Sequence, residues 1–179
     1  MIYYTSDLHL GHESVIKLCN RPFSSIEEMD ESLIKAWNGR VHRNDHVYIL
    51  GDLIFKAAQS PEYYLERLRG RKHLIIGNHD RTWLDKVELG AYFESVEGLD
   101  VINTGDGKAT LCHYPLMAYE RKYLIHGHMH GRKNTSVWDV LKADEFALNA
   151  GVDVNGYMPV TLEELIENNR RHKAEGGTQ

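Results

Sequence analysis

Short apolar stretches of this chain run directly into residues with carboxylate, imidazole or amide side chains. Four such junctions are Asp7-Leu8-His9, Gly51-Asp52, Gly77-Asn78-His79-Asp80 and Gly127-His128-Met129-His130. A fifth apolar stretch ends at Cys112-His113. Ligands gather beyond the carboxyl ends of strands in α/β sheets, so we expect the five junctions to meet at one rim.

The first half of the chain alternates strand and helix patterns. Strands are predicted at 1–6, 46–50 and 73–76, and helices at 14–20, 24–39 and 61–69. Ser24 is predicted to cap the second helix, with Glu27 three residues further on. This alternation favours a parallel sheet with crossover helices.

The second half has a different pattern. Residues 99–103 and 108–113 flank a Gly-containing turn and predict a hairpin. Further strands are predicted at 123–126 and 146–149, and a helix capped by Thr161 runs to about residue 171. We expect one domain over residues 1–173 and a frayed C-terminal tail over 174–179.

The composition narrows the functional class. Net charge is −5, which gives no general attraction to a polyanion, so bulk nucleic-acid binding is not expected. The N-terminus does not resemble a signal peptide, and no apolar run is long enough for a membrane helix. Only two cysteines occur, which is typical of a reduced compartment. We therefore expect a cytoplasmic protein without a membrane partner.

The side chains at the junctions favour one kind of ion. Eleven histidines are present, and most of them lie at or next to the junctions. Carboxylates with neutral imidazoles suit Mn, Fe, Co, Ni or Zn, whereas calcium prefers oxygens alone and structural zinc more often uses thiolates. About eight ligands exceed the need of one ion, so a two-metal site with one bridging carboxylate is predicted.

In this order, Asp-x-His, Gly-Asp, Gly-Asn-His-Asp, a single His and Gly-His-x-His resemble the calcineurin-like metallophosphoesterase superfamily. The resemblance spans residues 7–130. The segments TSDLHLGH and NAGVDVNGYMPVTLEEL are similar to small prokaryotic and phage members. The resemblance implies an α/β fold: a four-layer αββα sandwich of two mixed β-sheets flanked by helices.

The resemblance also implies roles for individual residues. One metal is expected on Asp7, His9, Asp52 and His130. The other is expected on Asp52, Asn78, His113 and His128, so that Asp52 bridges the pair. His79 is expected to contact the scissile phosphate and protonate the leaving oxygen. The implied reaction is hydrolysis of a small phosphomonoester or phosphodiester, nucleotide-like substrates included, by metal-activated hydroxide, with manganese favoured in vitro.

One departure from the family pattern bears on the substrate. In the Ser/Thr phosphatase branch the second motif continues to an Asp–Arg pair, but this chain has Phe55 and Lys56 there. The carboxylate that would orient His79 is absent from that position. Protein phosphatase activity is therefore not expected, and the motif is more similar to the phosphodiesterase and nuclease branches.

Four further residues are candidates for substrate contact: Arg21, His12, Arg132 and Lys133. For the arginines and the lysine the interpretation as solvated surface cations is favoured, whereas His12 is equally interpretable as a helix-start or structural residue. His126 is left out of the ligand set, and Asp80 is interpreted as a cap for the chain after His79.

Two other functions remain open. A nuclease requires a positive groove and aromatic stacking platforms, which this acidic sequence does not show. A binding scaffold with the same fold would have a degenerate metal site, whereas every ligand position is filled here. The sequence leaves the substrate, the native metals and the oligomeric state open.

Overall fold

The computed structural model describes residues 1–120 and 122–175, and the strands in these residues form two four-stranded sheets. Strands β1 to β8 span Ile2–Thr5, His46–Ile49, Arg71–Ile75, Phe93–Glu97, Leu99–Asn103, Lys108–Cys112, Tyr123–His126 and Ala147–Asn149. Helices α1 to α6 span Glu13–Leu18, Ile26–Arg40, Pro61–Leu65, Leu89–Tyr92, Trp138–Ala143 and Leu162–Ala174. Two short 3-10 turns span Asp80–Thr82 and Leu84–Lys86.

The two sheets differ in strand direction. The first has the order β1-β2-β3-β4, and all of its strand pairs are parallel. The second has the order β5-β6-β7-β8, with β5 antiparallel to β6 and the other pairs parallel. The parallel pairing of β1 to β3 is the one that the strand–helix alternation predicted, and β1 makes one further, antiparallel bridge, between Tyr4 and Val160. The helical segments between β1, β2, β3 and β4 return the chain to the same end of the sheet before each new strand begins, as parallel pairing requires.

Alternating side chains divide the interior into layers. In the first sheet, Tyr3 and Leu74 pack with helices α1 to α3, whereas Tyr4 and Ile75 pack between the sheets. In the second sheet, Leu124 packs outward against the α5 side. Successive strand residues point to opposite faces, so each sheet has a helical layer on one face and the other sheet on the opposite face. The predicted four-layer αββα arrangement is confirmed.

Several element boundaries differ from the sequence prediction. The cap of α2 is Ser25, whose hydroxyl accepts the Glu28 N–H at 3.2 Å, while the Glu28 carboxylate accepts the Ser24 N–H at 2.7 Å. The capping pair is thus shifted by one residue. Helix α3 ends at Leu65, and α6 continues through Ala174 into the segment expected to be frayed. Residues 176–179 of that segment lie outside the described residues.

The carboxyl ends of β1, β2, β3, β6 and β7 meet at one rim. The Asp7 N–H donates to the Gly51 carbonyl at 3.0 Å within the first sheet. Between the sheets, His113 Nδ1 lies 2.7 Å from the Leu50 carbonyl oxygen. The five junctions are therefore neighbours in space, as expected from their positions after the strands.

Within residues 1–120 and 122–175, no helix combines the length and the apolar character that crossing a bilayer requires.

Candidate metal centre

Five of the predicted ligands have left-handed backbone conformations. The φ angles are 57° for Asp7, 54° for His9, 55° for Asp52, 67° for His128 and 50° for His130. This conformation costs a non-glycine residue roughly 1–2 kcal/mol. Such strain persists where the surrounding structure enforces it, and it concentrates at functional sites.

Two overlapping groups of donor atoms form at the rim. Asp7, His9 and His130 make one, and Asp7, Asp52 and His113 make the other, with donor atoms in each group lying within 4.8 Å of one another. Asp52 Oδ2 lies 3.6 Å from His9 Nε2 and 3.5 Å from His113 Nε2. One carboxylate oxygen therefore lies between imidazoles that belong to different groups.

The remaining two predicted ligands adjoin the second group. Asn78 Oδ1 lies 3.1 Å from His113 Nε2 and 3.1 Å from His128 Nδ1. The His128 backbone N–H donates to the Asp7 carboxylate at 3.0 Å. All seven predicted ligands thus lie around one point.

The chemistry of these residues fits divalent cations. His9 Nε2 is buried and has no hydrogen-bond partner within the described part of the chain, which is costly for a polar atom unless a ligand satisfies it. Burial lowers the pKa of His9 and of His128, which favours the neutral imidazoles that metals bind. Burial also raises the pKa of the Asp7 carboxyl, an uncompensated cost that a bound cation offsets.

A buried ion-pair network holds His130. Asp153 Oδ2 lies 2.8 Å from His130 Nδ1, which leaves His130 Nε2 facing Asp7 Oδ1 at 4.0 Å. Burial lowers the pKa of His130, but hydrogen bonds to Asp153 and Cys19 and the charge of Asp7 outweigh that effect and raise it to about 10. Asp153 was not predicted, because the sequence around it has no ligand spacing.

Arg21 completes this network. Its guanidinium donates to both Asp153 oxygens at 2.9 and 3.0 Å, to the Asp7 carbonyl at 2.7 Å and to the Leu8 carbonyl at 2.8 Å. The side chain is fully buried. Arg21 therefore has no free face for a phosphate, and its geometry corrects the expectation of a substrate contact. It fixes the loop that presents Asp7.

Asp80 does more than the chain cap expected from the sequence. Its buried carboxylate accepts the backbone N–H groups of Asp52 at 2.8 Å, Leu53 at 2.9 Å and Gly77 at 2.8 Å. It also accepts the indole N–H of Trp83 at 3.1 Å. Asp80 thus joins the Asp52 loop to the loop that carries Asn78 and His79.

Two glycines of the motifs are required by close approach of the carboxylates. A Cβ on Gly77 would lie 2.6 Å from the Asp52 backbone nitrogen. A Cβ on Gly127 would lie 2.7 Å from Asp7 Oδ2. Both distances are shorter than any normal contact, so these glycines let the backbone pack against the metal-binding carboxylates.

His79 and His12 lie on the side of the centre that holds His9. His79 Nε2 is 3.9 Å from Asp52 Oδ2, and its backbone N–H donates to Asp52 Oδ1 at 2.9 Å. The His79 ring packs on Phe55, with ring centroids 3.8 Å apart. His12 Nδ1 is 3.2 Å from His9 Nδ1, so His12 contacts the centre through His9.

The two predicted basic contacts differ in position. Lys133 Nζ lies 3.2 Å from the Glu175 carbonyl and 3.3 Å from its carboxylate, which directs it to the end of α6. Arg132 is exposed, and its charge contributes to the lowered pKa of His128. Arg132 therefore acts electrostatically on His128, one of the predicted ligands.

Tyr114 borders the centre and was not singled out from the sequence. Its hydroxyl lies 3.5 Å from Asn78 Oδ1, and its ring centroid is 4.7 Å from that of His128. It is 46% exposed. Its position directly after His113 is the signal that would have identified it.

Three known proteins are similar to this chain over most of their own length. The chain is 36% identical to an uncharacterised protein of Methanocaldococcus jannaschii over 171 residues, 93% of this chain and 89% of that protein. It is 33% identical to the Gene 66 protein of Mycobacterium phage L5, covering 72% of this chain and 76% of that protein. A crystal structure of a protein of unknown function from Aquifex aeolicus matches with a TM-score of 0.72 and 27% identity, over 93% of this chain and 98% of that one.

A family model described as calcineurin-like phosphoesterase matches residues 1–152. Proteins of this family are in general metal-dependent phosphoester hydrolases, and the Asp/His clusters at the rim are groups that could hold a metal ion. The match covers most of the chain and all seven predicted ligands. The chain therefore belongs to the calcineurin-like phosphoesterase family.

Proposed function

We propose that this protein is a dinuclear-metal-dependent phosphoesterase that hydrolyses a small phosphomonoester or phosphodiester, nucleotide-like substrates included. The observation that carries the proposal is the position of Asp52 Oδ2, 3.6 Å from His9 Nε2 and 3.5 Å from His113 Nε2. A carboxylate oxygen between two imidazoles of different donor groups suits a bridge between two cations.

In this proposal the seven residues divide as the family resemblance implies. Asp7, His9 and His130 hold one cation and Asn78, His113 and His128 hold the other, with Asp52 shared. Cations held by these residues would supply Lewis acidity, which lowers the pKa of a coordinated water and offsets charge on phosphoryl oxygens. The donor set suits Mn, Fe, Co, Ni or Zn, and manganese is the metal we propose for assays.

His79 is proposed to protonate the leaving oxygen from Nε2. The Asp52 carboxylate holds its backbone N–H, and the Phe55 ring packs against its imidazole. Among the residues that the structure describes, no carboxylate hydrogen-bonds its ring, so Phe55 packing takes over the orienting role. The side chain is about one-third exposed, at 34%, so substrate can reach it.

The proposed partner is a small phosphorylated molecule in the cytoplasm, and neither bulk nucleic acid nor a membrane surface is proposed. The test is parallel assay of p-nitrophenyl phosphate, bis(p-nitrophenyl) phosphate, cyclic nucleotides and single-stranded DNA with manganese. Turnover of the small esters is expected. Degradation of DNA as the dominant activity would instead favour a nuclease, and no turnover with no metal uptake would favour a scaffold.

The central ligand gives a sharper test. Asp52→Asn removes the negative charge shared by both cations, and we expect turnover to fall at least about 10³-fold, a loss of roughly 4 kcal/mol of transition-state stabilisation. Asp139→Asn, at an exposed position of α5, is the matched control and should retain activity. An Asp52→Asn protein with most of its activity would contradict the shared-ligand role.

His79→Ala tests the acid role separately. We expect metal content to be retained and the rate to fall about 10²–10⁴-fold, the range of general acid catalysis. The loss should be larger for an alkyl phosphate than for p-nitrophenyl phosphate, because a poor leaving group depends more on protonation. Equal losses for the two substrates would argue that His79 binds phosphate without moving a proton.

A further inference from the structure

A second cavity lies beside the proposed metal centre. It has a volume of about 280 Å³ and is formed by the segment after β2 and the 3-10 turns after β3. Its walls include the apolar side chains of Phe55, Pro61 and Trp83. This volume is large enough for a planar ring or a short chain rather than for a macromolecule.

The cavity is attached directly to His79. The Phe55 ring forms part of its wall and packs on the His79 imidazole, with centroids 3.8 Å apart. Thr82 also lines the cavity, and its hydroxyl donates to the His79 carbonyl at 2.8 Å. A leaving group that passes His79 and extends across the Phe55 ring would therefore enter this cavity.

The charges of the cavity favour an anion. Lys56 and Lys86 contribute to its lining and are exposed, and no acidic residue is among the described residues that line it. The Lys56 ammonium lies 5.2 Å from the centroid of the Phe55 ring. A larger cavity of about 720 Å³ lies along α6, where acidic residues outnumber the arginines Arg40 and Arg171: Asp153, Glu163, Glu164, Glu167 and Glu175. An anionic substrate would be repelled there and attracted to the cavity beside His79.

We propose that this cavity binds the leaving group of the substrate and selects a leaving group that combines a planar or apolar part with a second anionic group. Phe55, Pro61 and Trp83 contact the apolar part, and Lys56 and Lys86 pair with the carboxylate or phosphate at its end. This inference rests on the proposed hydrolase function, since it takes His79 as the residue at the leaving oxygen.

Matched substrates test the selectivity. The manganese-loaded protein is assayed with 4-carboxyphenyl phosphate, with its neutral carboxamide analogue and with 1,4-phenylene bisphosphate. We expect kcat/KM to be roughly three- to tenfold higher for the two anionic leaving groups, in the range expected for two exposed ion pairs. A comparison of kcat/KM between 4-carboxyphenyl phosphate and 1,4-phenylene bisphosphate shows whether a carboxylate or a phosphate is preferred.

Variants of the two lysines test whether they cause the preference for an anionic leaving group. In the double variant Lys56→Gln/Lys86→Gln the ratio of kcat/KM between the carboxylate and the carboxamide should fall to near one. Lys35→Gln, an exposed lysine of α2, is the matched control and should keep the wild-type ratio. A ratio near one in the wild type, or a preference that survives in the double variant, would overturn the proposal.

Calorimetry gives a readout that does not depend on turnover. 4-(Phosphonomethyl)benzoate and 4-(phosphonomethyl)benzamide are titrated into the same manganese-loaded proteins. Tighter binding of the benzoate by the wild type, lost in the double variant, would support the cavity even if no ester were hydrolysed. With binding but no hydrolysis, the hydrolase proposal would fail and the anion site would stand. Equal affinities of the wild type for the benzoate and the benzamide would contradict the anion site.

Discussion

At the scale of single residues, the centre depends on side chains that orient the predicted ligands. Asp153 and Arg21 form one such network around His130 and the Asp7 loop. Asp80 forms another, which holds the Asp52 loop. Partners of this kind fix the orientation of metal ligands and raise metal affinity.

Asp153→Asn tests the first network. Asparagine keeps the shape but removes the charge that pairs with Arg21 and His130, so His130 is held less firmly. We expect manganese affinity to fall about 10–100-fold, with activity partly restored at high metal concentration. Manganese titration followed by turnover measures both. Unchanged metal affinity would show that Asp153 does not position His130.

The ligands could be predicted from sequence because each belongs to a short motif that follows a strand. Each lies one to four residues after the end of a strand, so the order of motifs was sufficient. Asp153 and Arg21 could not be predicted as a pair, since they are 132 residues apart and meet only in the folded chain. Arg21 was expected to face the substrate because an isolated arginine in a loop carries no signal of burial.

At the scale of the elements, the strands were predicted more reliably than the helices. β7 matches its predicted bounds, and β2 and β6 each end one residue earlier than predicted. The edge strand β4, with Glu94 and Glu97 among its five residues, lacks a clear apolar pattern and was missed. The helices α4 and α5 are short and were missed too.

Strands β2 and β3 carry a pair of histidines that links stability to pH. His46 Nδ1 lies 2.8 Å from His73 Nε2, and His73 Nδ1 lies 2.8 Å from the Ser95 hydroxyl. Burial, and then the proximity of His46, lower the pKa of His73; the charges of Glu94 and Asp100 oppose this. The folded state therefore binds fewer protons at this site than the unfolded state below about pH 6.5.

Stability should accordingly decrease as pH falls through about 6.5. His73→Gln removes this titration and should make the free energy of unfolding of the metal-free protein less dependent on pH between about 8 and 5. Urea unfolding of wild type and variant at several pH values measures the difference. An equally steep decrease in the variant would show that His73 does not contribute.

At the scale of the whole molecule, the centre joins the two sheets. The first sheet supplies Asp7, His9, Asp52 and Asn78, and the second supplies His113, His128 and His130. The sequence predicted this arrangement because both sheets end at the same rim. The alternation of strands and helices in the first half also predicted that β1 to β3 pair in parallel, whereas the expectation of mixed sheets came from the family resemblance.

The decisive measurement is anomalous scattering from manganese-soaked crystals, recorded at the manganese absorption edge. We expect two peaks roughly 3.5–4 Å apart, one on each side of the Asp52 carboxylate. One of them should lie against His9 and His130 and the other against His113 and His128. A single peak, or a pair that does not include Asp52, would contradict the two-metal centre.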